Sequence, residues 1–165
     1  MTGSAAAGLT GLMFVVITLI TDNERVRNAP DGLGTFSTPT VVHFGAALFV
    51  SATLSAPWHG LLGPGIVLGL AGLCGVGYAI RLFYRTRRVT GYSPDLEDWI
   101  WYTILPFIAY GAILAGAIMF ATVPAEGLFA LAAGVAFLIF IGIHNAWDIV
   151  TYLVISGKDQ PPKSR

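Results

Sequence analysis

The chain has 165 residues, of which 55% are hydrophobic and 11% charged, and its mean hydropathy is +0.73. A soluble domain carries about 25% charged residues, so this composition excludes one and leaves the membrane as the environment. Nine basic residues balance nine acidic ones and form no stripe interleaved with aromatics, which excludes nucleic acid as a partner.

A spanning helix needs about 20 largely apolar residues. The chain offers five such runs, at 5–21, 38–57, 62–84, 98–121 and 127–152. The first belongs to an uncharged stretch from Met1 to Thr21 that lacks the basic segment of a cleavable signal peptide, so it is expected to remain as a helix. The second opens on Thr38 and Pro39, a capping hydroxyl before a proline, which predicts a helix start there. His43 then lies roughly 7 Å inside that start at 1.5 Å per residue. The third run has Gly65, Gly69 and Gly72 at helical spacing, a face for close helix contact, and the lone Cys74 midway along it reads as a small packed hydrophobe.

The fourth run repeats the hydroxyl–proline signal at Ser93 and Pro94, and Asp95, Glu97 and Asp98 fall in its first turn, where a helix N-terminus favours negative charge. Pro106 within it predicts a kink, and Ala112 and Gly116 form a small-xxx-small pair. In the fifth run His144, Asp148 and Thr151 follow at i, i+4 and i+7, with Asn145 and Tyr152 beside them, so one stripe of an otherwise apolar helix is polar. Trp99, Trp101, Trp147 and Tyr152 read as an aromatic belt at one membrane boundary and Trp58 with His59 at the other.

The expected architecture is therefore all-α, a polytopic bundle of five transmembrane helices over residues 1–156 with a short tail at 157–165. Arg25 and Arg27 lie between the first two runs, Arg81, Arg85, Arg87 and Arg88 near the end of the third, and Lys158, Lys163 and Arg165 in the tail. Five spans place all of these on one side, which the positive-inside rule makes the cytoplasm, with the N-terminus outside and the host a bacterial-type inner (plasma) membrane.

Ionisable or strongly polar side chains at membrane depth are costly and mark candidate sites. They are His43, His144, Asp148, Glu97, Asp98, Asn145 and Thr151, all in the cytoplasmic half. Three functions fit them. An accessory or interaction subunit would use the glycine-rich third helix to form a homo-oligomer or join a larger membrane complex. A haem b or divalent-metal site would use His43 and His144 as ligands, with Asp148 or Glu97 as further ligands to a metal. A proton or ion path would run through His144 and Asp148 with Glu97 or Asp98 at its mouth. No catalytic motif occurs, which leans against an enzyme.

The topology is testable in a Cys74→Ser background. Reporter cysteines at Ser4 and Glu126 are expected to react with an impermeant maleimide added from outside intact cells. Labelling only after the cytoplasmic side is opened would reverse the orientation.

Overall fold

The structure is a computed structural model and describes residues 1–21, 32–87 and 96–156. The described residues are all-helical, with no strand, and form five rods. They are α1 (Thr2–Thr21), α2 (Gly32–Ser55), α3 (Leu62–Arg87), a fourth rod built in three pieces, and α6 (Pro124–Ser156). The fourth rod runs from α4 (Leu96–Trp99) through a π-helical turn (Ile100–Ile104) into α5 (Leu105–Met119). Four of the rods hold stretches long and apolar enough to cross a membrane: Thr38–Ser55, Leu62–Tyr84, Ile100–Met119 and Pro124–Asp148. In α1 the described apolar stretch, Thr2–Val16, is shorter. Among the basic and capping residues noted in the sequence, Arg25, Arg27, Arg88, Ser93, Pro94 and the tail lie outside the described residues.

The rods lie antiparallel to their sequence neighbours, and the two connections that the structure describes are tight turns. After α2 the chain reverses through 56–61, where the Trp58 indole Nε1–H donates to the Thr53 carbonyl at 2.7 Å. After α5, Val123 N–H donates to Met119 O at 2.7 Å, and Pro124 then opens α6 at the position where a missing N–H costs nothing. These turns and Met1 lie at one end of the bundle. Arg87, the last residue of α3, and Leu96, the first of α4, mark the opposite end, called here the arginine end.

α6 is the central rod, in contact with α5 on one side and α2 on the other, while α1 lies against α2 and α3 against α5. Its long contact with α5 depends on the absence of side chains. A Cβ on Gly116 would lie 2.8 Å from the Leu131 backbone nitrogen and 2.9 Å from the Gly127 carbonyl, and one on Gly134 would lie 2.9 Å from the Ala109 carbonyl. The core that this contact closes includes Ala47, Val50, Ile113, Leu131, Leu138 and Ile141.

Two sequence expectations are corrected. The second helix does not begin at Thr38: it starts at Gly32 and runs through Pro39, which is buried in its interior. Proline has the backbone angle a helix needs, so the same ring serves at a first position or, with one ladder hydrogen bond lost, inside. The glycine stripe of α3 is not presented outward, because a Cβ on Gly72 would meet the Leu114 backbone at 2.8 Å and one on Gly75 would collide with the Tyr110 ring. That stripe is consumed inside the chain against α5. Ile66, Leu70, Leu73 and Ile80 form the outward face of α3 instead.

Pro106 does break the regularity of its rod as expected. Its ring and missing N–H disturb the turn before it, and the chain widens there: Leu105 N–H reaches back five residues to Ile100 O.

Gly116→Val is expected to lower the thermal midpoint in detergent, since the blocking atoms are backbone and overfilling of this kind costs about 1–3 kcal/mol. Gly77→Ala, where the position faces open space, is not. Equal midpoints for the two variants would show that the α5–α6 approach is not what fixes the bundle.

Candidate functional site

Polar side chains gather in the half of the bundle nearer the arginine end. The register follows from contacts on either side of α6. Trp101 stacks on His144, with ring centroids 3.6 Å apart and planes at 4°, while a Cβ on Gly142 would collide with the Phe44 ring. Because α6 runs antiparallel to both α2 and the fourth rod, these contacts bring Asn145 level with Thr40 and with the π-helical turn. His43 and Thr103 lie about one turn deeper.

His144 sits at the mouth of this half. Its Nδ1 is 3.2 Å from Asp148 Oδ2 on the next turn of α6, and its Nε2 is 3.8 Å from Glu97 Oε1 on α4. The side chains of His144, Asp148 and Glu97 are 24%, 45% and 76% exposed. The His144–Asp148 approach is close enough for an ion pair but lacks the alignment of a hydrogen bond, since Nδ1 has no hydrogen-bond partner. Two carboxylates and the face of an indole surround the ring. Thr151 is half-buried one turn beyond Asp148, and the Asp98 side chain lies outside the described residues.

His43 occupies a different setting. It is 0% exposed and its Nδ1 shares a 3.0 Å hydrogen bond with the Tyr110 hydroxyl, while the Tyr78 ring meets it edge-on at 6.4 Å. Its other nitrogen, Nε2, has no protein partner. The same holds for Thr40 Oγ1, Thr103 Oγ1 and both amide atoms of Asn145, a side chain that is also 0% exposed.

The structure thus joins His144, Asp148 and Glu97 in one group, and it gives His43 to Tyr110. The two histidines have separate neighbours. Among the described residues no group of three or more His, Cys, Asp or Glu side chains is placed to hold a metal ion. Nδ1 of His43 is engaged by a phenol, and both nitrogens of His144 lie within 4 Å of carboxylates.

Three participants escaped the sequence reading. Trp101 was assigned to the aromatic belt, whereas it is half-buried against His144; Trp147, 70% exposed, fits the belt as expected. Tyr110 and Thr103 were unmarked. Tyr102, Pro106 and Tyr110 recur at i, i+4 and i+8, and that phenol-bearing face deep in an apolar run was the available signal.

Tyr110→Phe is expected to destabilise the protein by about 1–3 kcal/mol, because it strands a buried imidazole nitrogen. Adding His43→Leu should return part of that loss, since both polar partners are then gone. Strict additivity in the double-mutant cycle would deny that the pair interacts.

Compared with protein-family models, with curated proteins and with solved structures, the chain gave no match to any of them.

Proposed function

We propose that the chain is an integral protein of a bacterial-type plasma membrane, N-terminus outside and arginine end in the cytoplasm, that binds protons from the cytoplasmic side. In this reading it acts as an accessory subunit of a membrane complex and not as a self-sufficient channel. The orientation is supported by Arg81 and Arg87, both exposed near that end, together with the basic residues that the sequence places in the same segments.

The observation that carries the proton reading is the setting of His144. It lies flat on Trp101 at the mouth of the polar half, with a carboxylate within 4 Å of each ring nitrogen. Histidine so surrounded exchanges a proton with water through an exposed neighbour, here Glu97, while its ring orientation is held by the indole and by Asp148.

The accessory role is supported by the opposite half. Its buried side chains include Val50, Leu68, Ile113, Ala117, Leu131 and Val135, and Thr53 is the buried polar side chain there among the described residues. Among the described residues, no buried ionisable side chain lies beyond Tyr110 to receive a proton taken up at His144. Onward transfer therefore requires a partner or a second state of the bundle.

Tryptophan fluorescence tests the reading in purified protein. An imidazolium stacked on an indole quenches it, so a proton bound in this cluster is expected to lower the emission. The pH-dependent component should vanish in both Trp101→Phe and His144→Gln and persist in Trp147→Phe. A titration that survives His144→Gln would remove the basis of the proposal.

A further inference from the structure

Five buried polar atoms in neighbouring turns have no protein partner: Thr40 Oγ1, His43 Nε2, Thr103 Oγ1, and Oδ1 and Nδ2 of Asn145. Thr40, His43 and Asn145 are 0% exposed and Thr103 is 6% exposed. In a membrane protein such groups have no lipid-side solvent to turn to, and each costs several kcal/mol if left bare. A native bundle does not gather that many bare groups in adjacent turns of three helices without something that satisfies them.

The helix ladders are interrupted at this depth as well. Pro39 and Pro106 are both fully buried inside their rods, and neither has an N–H to give to the carbonyl of the turn before it. The π-helical turn Ile100–Ile104 precedes Pro106 directly, and such turns recur where a helix makes room for a function. Two interrupted helices therefore meet the unpartnered side chains at the same depth.

The chemistry of the layer limits what it takes. Hydroxyls, a carboxamide and one imidazole nitrogen offer both donors and acceptors and no fixed charge, so an ion is a poor fit and a neutral hydrogen-bonding molecule a good one. Size points the same way. Two open grooves among the described residues lie elsewhere, one at the opposite end lined by Met1, Ser51 and Leu131, the other an apolar groove between α5 and α6 around Ala112, Ala133 and Phe137. The side chains of the polar layer are closely enclosed, so the occupant is small.

We infer that this layer is an internal water site, in which ordered waters bridge Asn145 and Thr40 to Thr103 and His43. Each buried water makes about three hydrogen bonds, so roughly two molecules satisfy the five atoms. Asn145 adjoins His144 in sequence, so the waters extend the polar group at the mouth to His43 and Tyr110. The site deepens the proton-binding reading but stands on its own observations.

Apolar replacements of matched shape separate a hydrated layer from a bare one. If waters bond these groups, Thr103→Val and Asn145→Leu each break a satisfied network and are expected to lower the thermal midpoint of the full-length protein by roughly 3–10 °C. The pair should be non-additive, and Thr103→Ser, which keeps the hydroxyl, should stay near wild type. If the groups are bare, both apolar variants would leave the midpoint unchanged or raise it, and the site would be overturned. Should Asn145→Leu fail to fold, Thr40→Val replaces it with the same expectation. A high-resolution experimental structure gives the direct readout: density for waters within hydrogen-bond distance of Asn145 and Thr103 supports the proposal, and a continuous organic molecule or a dry layer refutes it. Loss of the Trp101 titration in wild type with these stability shifts intact would sink the proton reading alone.

Discussion

The close approach of α5 and α6 sets the register on which every other feature depends. Lipid is as apolar as leucine, so no hydrophobic force drives the two helices together. Dispersion at short range must hold them, and it falls away once a side chain props them apart. Gly116, Gly127 and Gly134 allow backbone to meet backbone over several turns. The antiparallel register fixed there is carried along α6 to its far end, where it brings His144 under Trp101 and within 4 Å of Glu97.

The π-helical turn completes that alignment. One extra residue in a turn rotates everything before it by about 100° relative to everything after it, since an α-helix advances 100° per residue. Residues Trp101, Tyr102 and Thr103 consequently present a face that a continuous α-helix from Leu96 to Met119 would not give them. Pro106 supplies the physical reason, because its ring and absent N–H make the regular turn unfavourable there. Trp101 is drawn against α6 and Thr103 is buried, while the glycines farther along keep their contact with Leu131 and Ala109.

How much the sequence disclosed follows from the range of each signal. Helix number and the polar stripe of α6 are properties of single segments, and hydropathy with a 3.6-residue period reads them directly. Partners between helices are another matter. His43 pairs with Tyr110 because α3, through Gly75, lets the Tyr110 ring lie flat against it, and no count within one helix reveals that. The face of α3 misled for a related reason: a small-residue stripe announces a close contact without saying whether the second helix belongs to the same chain. Trp101 was misread because the period was carried unbroken through a turn that Pro106 interrupts. The start of α2 failed because proline after threonine satisfies the rule for a helix start and tolerates a helix interior as well.

The bundle is chemically lopsided, and the lopsidedness bears on function. From Val50, Ile113 and Leu131 toward the Met1 end, the core is a dry apolar contact; toward the arginine end it holds an imidazole, a carboxamide, phenols and hydroxyls. A through-channel needs sites on both sides of its barrier, and a purely structural helix bundle needs neither, because buried polar groups cost stability unless they are satisfied. A polar well closed at its inner end meets a third requirement: it lets a group deep in the membrane exchange with one side only. Tyr110 lies against both His43 and Gly75. A change in the hydrogen bond between His43 and Tyr110 therefore bears directly on the packing where α3 meets α5.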